Sequence, residues 1–135
     1  MTTSFYIKLY FATLAVFLLI DMLWLGVVAR GLYSKYLGYL LSPNPNWTAA
    51  VLFYLLFVVG VLVFAVLPGL QAASLGKALL LGALFGLLTY ATYDLTNLAT
   101  IRDWPVFITI VDLIWGTLLA TLVSGAGFLV GRWMA

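Results

Sequence analysis

Three aspartates stand where a charged side chain is expensive: Asp21 in FLLIDMLWLG, Asp94 in TYDLTNLAT and Asp112 in TIVDLIWGTL. The chain has only four acidic residues in 135, and the fourth, Asp103, lies in the polar stretch Arg102-Asp103-Trp104-Pro105. A carboxylate in the middle of an apolar helix costs roughly 2.5–3.5 kcal/mol on insertion scales, so such residues face a bundle interior and mark working sites. A carboxyl that keeps its proton can act as an acid and an ionised one as a base. Three like charges close together in low dielectric cannot all ionise cheaply, so at least one of the three is expected to be neutral at pH 7. Asp94, Asp112 and Asp21 are the candidate catalytic residues.

Other chemistry is excluded by composition. Without histidine there is no imidazole base or ligand, and without cysteine no thiol nucleophile or thiolate site. Carboxylates suit magnesium or manganese, but the three aspartates lack a tight Asp-x-x-x-Asp spacing, so neither metal nor cofactor is expected. The net charge of +2 rests on few charges and does not suggest nucleic acid.

The polar residues around the acids supply candidate binding groups. Tyr90, Asp94 and Asn97 recur at i, i+4, i+7 and share one helix face, with Thr89, Tyr93, Thr96 and Thr100 as an adjacent stripe. Asp21-x-x-Trp24 and Asp112-x-x-Trp115 repeat one phrase in opposite halves of the chain. Tyr90, Asn97, Trp24 and Trp115 are expected to bind a ligand. Arg30 and Arg102 would lie at the rim with Lys35, Asp103, Trp47 and Trp104, the last two indoles being read as an interfacial belt.

Membrane helices must position these residues. The chain is 66% hydrophobic and 7% charged, with mean hydropathy +1.20, outside the soluble range of about 25% charged. Four apolar runs predict an all-α integral membrane bundle, up-down-up-down, forming a single domain over 1–135. The expected spans are about 5–29, 49–67 (stopped by Pro68-Gly69), 78–101 and 106–130. The first run exceeds a signal peptide's apolar core of about 7–15 residues and is read as a retained helix. Leu32, Tyr33, Tyr36, Leu37, Leu40 and Leu41 share a face and predict a short interfacial helix in the first loop.

At about 1.5 Å per residue, Asp21, Asp94 and Asp112 fall roughly 12, 10 and 9 Å from the same end of the bundle. They form one layer in a cup walled by helices 1, 3 and 4. Helix 2, with Tyr54 its one polar side chain, is expected to be a structural wall. Helices 1 and 4 run oppositely, so each indole of the repeated phrase should reach the other helix's carboxylate, Trp24 to Asp112 and Trp115 to Asp21. Gly82-x-x-x-Gly86 and the Gly116, Ala120, Ser124 series predict close packing, within the bundle or in a homodimer. Cations are divided equally between the two ends. Both termini share one side, taken as cytoplasmic from its cationic N-terminal segment and second loop.

The series Asp21-x-x-Trp24-Leu25-Gly26, Tyr93-Asp94-Leu95-Thr96-Asn97-Leu98-Ala99-Thr100, Trp104 and Asp112-x-x-Trp115-Gly116 resembles a bacterial membrane-protein family, domain of unknown function 2177. The resemblance covers nearly the whole chain and is most specific at Tyr-Asp-Leu-Thr-Asn. It implies a stand-alone four-span protein of the inner (cytoplasmic) membrane and no established activity. Tyr39 departs from the family's pattern, which is associated with histidine there, so no imidazole role is carried over.

Three functions follow from these residues. A cup with acids inside, cations at its rim and a greasy wall suits a membrane lipid or a lipid-like amphipathic molecule with a polar or anionic head, bound or chemically altered. A small dimeric proton-coupled transporter needs little more than a buried carboxylate, although transport sites usually sit at the midplane. A structural or assembly subunit would pair its aspartates with indole, threonine and asparagine donors.

Overall fold

The computed structural model describes residues 1–135, and the chain is helical with no strand. The helices are α1 (Thr3–Val28), α2 (Leu32–Leu37), α3 (Trp47–Gln71), α4 (Leu75–Thr100) and α5 (Val106–Met134). All but α2 are long and apolar enough to cross a membrane. Large apolar side chains such as Val28, Leu56 and Leu80 are about 70% exposed, which suits a surface solvated by lipid rather than water.

Side-chain caps start three of the spans. Thr2 Oγ1 accepts from the Phe5 N–H, Asn46 Oδ1 from Ala49 and Ser74 Oγ from Lys77, at 3.0–3.2 Å. Pro105 instead precedes the first turn of α5. Pro68-Gly69 does not stop the second span, which continues to Gln71. A widened π turn at Leu62–Val66 has the Leu67 N–H reaching back to the Leu62 carbonyl, so the ring of Pro68 enters an already loosened ladder. Gly69 then lies against α4, where an added Cβ would stand 2.6 Å from that of Ala78. A second π turn, Trp24–Val28, ends α1, and Gly31 at φ +82° swings the chain into α2.

The small residues are used inside the molecule. An added Cβ on Gly86 would lie 2.2 Å from the Gly116 carbonyl oxygen, and one on Gly82 would lie 2.4 Å from Ser124 Oγ. This close α4–α5 seam occupies both faces that the sequence offered for a homodimer. Residues every fourth position set the buried stripes: Leu9, Thr13, Phe17 and Asp21 on α1, and Ala78, Gly82, Gly86 and Asp94 on α4. Phe17, Val58, Val61, Leu119 and Val123 fill the core between them.

Candidate functional site

All three span aspartates are interior, with Asp21 at 6%, Asp94 at 0% and Asp112 at 8% exposure. They stand seven, six and six residues from the ends of α1, α4 and the start of α5, roughly 9–11 Å deep. Each ends up inside because it continues an apolar or small-residue stripe that already faces the core.

Asp112 is the hub. Its Oδ1 accepts a hydrogen bond from the Tyr33 hydroxyl at 2.6 Å, within the range of charge-assisted O–H···O⁻ bonds. The same hydroxyl accepts from Trp24 Nε1 at 3.0 Å. Burial, then the bond to Asp112, pushes the Tyr33 phenol above the usual tyrosine range, so it stays an O–H donor. The Trp24 indole stacks on Trp115, centroids 4.3 Å apart and planes within 8°. Trp115 in turn neighbours the Asp21 carboxyl. The expected exchange between the repeated phrases is therefore corrected: Trp24 reaches Asp112 through Tyr33, and Trp115 stands beside Asp21 without forming the expected bond in normal geometry, the two stacked indoles lying side by side.

Asp94 is the anomaly. Neither of its oxygens receives a hydrogen bond, although both are buried. Its carboxyl neighbours that of Asp112, and between two carboxyls only a proton can make a hydrogen bond. Tyr90 stands among the acids, with Asp21, Asp112 and Asp94 all near enough to act on its hydroxyl. Its ring covers Gly116, where a Cβ would stand 2.2 Å from Tyr90 Cγ.

A cleft of about 370 Å³ opens in front of the hub, lined by Asp21, Trp24, Leu25, Tyr33, Ala50, Phe53, Tyr54, Tyr90, Tyr93, Asp112 and Trp115. A second space of about 350 Å³ shares Phe53, Tyr90, Tyr93 and Asp112 with it and adds Thr89. Helix α3 thus lends Ala50, Phe53 and Tyr54 to the lining, beyond a passive wall. Asn97 neighbours the Tyr93 hydroxyl and lies outside both linings. Arg30 and Arg102 are exposed and also outside them. The acids do not converge as a metal-ligand group.

Two expectations are revised. Trp104 is buried rather than part of an interfacial belt: its Nε1 donates to Thr109 Oγ1 at 3.0 Å, and its ring packs with Leu37 and Ile108. The threonine stripe is satisfied within its own helix, Thr89 donating to the Phe85 carbonyl at 2.8 Å, Thr92 to Leu88 at 2.6 Å and Thr100 to Thr96 at 2.8 Å.

Sequence reasoning did not single out Tyr33. The signal was present, since Tyr33 and Leu37 lie one turn apart on the apolar face of α2. Leu37 packs on Trp104 while Tyr36 meets Phe107 at 5.0 Å, so this face docks on the start of α5 and delivers Tyr33 to Asp112. Tyr39, farther on, donates to the Asp103 carbonyl at 2.5 Å and ties the first loop to the third.

Fold and site define a multi-pass helical membrane protein with a buried carboxyl cluster. The chain belongs to the family described as "Predicted membrane protein (DUF2177)", whose profile matches residues 6–129 and so takes in Tyr33 and the three span aspartates. No curated protein and no solved structure matches it.

Proposed function

We propose that the carboxyl cluster binds a lipid-like amphipathic molecule, its polar head at Asp112, Asp21 and Tyr33 and its chain in the apolar cleft, with Asp94 and Asp112 sharing one proton. The observation that carries this reading is Asp94, buried without a donor and beside a second carboxyl. If the aspartates only fixed helix register, each would be paired by an indole, amide or hydroxyl. Leaving Asp94 unpaired in low dielectric is a liability that a structural role does not explain. One proton between the two carboxyls removes a charge and makes the missing bond.

In this arrangement the protonated carboxyl is an acid, and ionised Asp112, held in place by the Tyr33 hydroxyl, is a base. The head is a neutral hydrogen-bond donor or a cation, because acids line the cleft and Arg30 and Arg102 do not. A one-sided site is favoured over a transport path. Beyond the acid layer the bundle is filled by Phe17, Leu119 and Val123, and by the close approaches at Gly82 and Gly86. The reading places the protein in a bacterial inner membrane, termini towards the cytoplasm.

Native mass spectrometry of lipids retained on the purified protein tests this. Wild type should carry a defined class that folded Asp112→Asn loses. Retention of bulk membrane lipid alone, identical in both proteins, would overturn the reading.

A further inference from the structure

We infer that the seam between α3 and α4 is a chain-binding track continuous with the carboxyl cluster, taking one linear hydrocarbon chain sideways from the bilayer and limiting its length. This inference rests on the lipid reading of the site. Three spaces follow one another along α4 and share lining residues. The cleft at Asp112 shares four lining residues with the second space, and that space shares Thr89 with a third of about 420 Å³. The third is lined by apolar groups, chiefly Phe64, Leu81, Leu84, Phe85 and Leu88.

Local chemistry keeps this seam both open and apolar. Phe85 leans onto α3 where Gly60 has no side chain, and a Cβ there would lie 2.5 Å from the ring. Phe85 is thereby drawn against Phe57 and Phe64, at 5.3 and 5.9 Å between centroids. Thr89 and Thr92 would be the polar intruders, but both hydroxyls are bonded back to carbonyls of their own helix. Their hydrogen-bonding capacity is spent locally and the seam is left suited to hydrocarbon.

Length gives the occupant. From Tyr93, beside the acids, to Leu81 at the far end is about 18 Å along α4, at about 1.5 Å per residue. Carbon–carbon bonds of ~1.52 Å at ~111° advance about 1.25 Å per carbon, so the track holds about 14 carbons. Tyr93 stands seven residues and Leu81 nineteen from the end of α4, so the track runs from roughly 10 to 28 Å below that end and carries a chain across the middle of a bilayer core of about 30 Å. A packed helix would instead need an axis 8–10 Å away and has no use for a groove that ends in carboxyls.

The test uses linear primary alcohols of graded length, whose hydroxyl can donate to the carboxyls, with the protein in lipid nanodiscs and native mass spectrometry as readout. Wild type should bind best at about 14 carbons. Leu84→Trp, which fills the track nine residues from Tyr93, should move the optimum down to about 11. Leu56→Trp, on an exposed part of α3 outside the track, should leave it in place. If Asp112→Asn abolishes binding at every length while Leu84→Trp leaves the profile unchanged, the track is wrong and the carboxyl site stands. If wild type binds neither these alcohols nor linear primary amines of the same lengths, both are overturned.

Discussion

Removing one oxygen atom tests the hub. Tyr33→Phe deletes the hydroxyl that accepts from Trp24 Nε1 at 3.0 Å and donates to Asp112 at 2.6 Å. Neutral interhelical bonds in membrane proteins average about 0.6 kcal/mol in double-mutant cycles and reach about 1.7. A charge-assisted bond is roughly twice as strong as a neutral one. The first bond should thus contribute about 0.6–1 kcal/mol and the second about 1.5–3, a total loss of about 2–4 kcal/mol. The assay is unfolding in mixed micelles titrated with denaturing detergent and followed by tryptophan fluorescence. Combining Tyr33→Phe with Asp112→Asn, whose amide oxygen can still accept from Tyr33, reads the charge-assisted part of the second bond, with a coupling of at least about 0.7 kcal/mol expected. Tyr36→Phe is the control, because the ring that meets Phe107 at 5.0 Å is retained. A coupling below about 0.5 kcal/mol would refute a charged Asp112 held by Tyr33.

Two further outcomes follow from packing and from the orphaned acid. Gly86→Ala puts a Cβ 2.2 Å from the Gly116 carbonyl and should destabilise by about 1–3 kcal/mol, whereas Gly26→Ala meets nothing within 4 Å and should be nearly neutral in the same unfolding assay. Asp94→Asn should keep stability within about 1 kcal/mol, since its amide can donate to Asp112 as a shared proton would; a loss above about 3 kcal/mol would restore a purely structural role for this residue.

The spans and the acid layer were legible because both rest on one-dimensional signals. Apolar length gives the helices, and a rise of about 1.5 Å per residue gives the height of each aspartate. The span through Pro68 was not legible, because it depends on a π turn that no local propensity announces. Pairing within the layer was half legible. Matching heights placed Trp24 and Trp115 near the opposite carboxyls, but the rings stack and leave the bond to Asp112 to Tyr33. That contact spans 79 positions and depends on how α2 docks on α5, which only the folded chain decides. Trp104 misled for a related reason: an indole next to a span end looks like a membrane anchor until its N–H is seen to meet Thr109.

One proton held between Asp94 and Asp112 at the head of a lipid site is the feature on which the proposed function rests. Infrared difference spectroscopy of the protein in nanodiscs, before and after adding the lipid recovered from it, reads that proton directly. A protonated-carboxyl band should be present at neutral pH in delipidated wild type, absent in Asp94→Asn, and shifted when the lipid returns. No such band, or a band that ignores the lipid, would contradict the account.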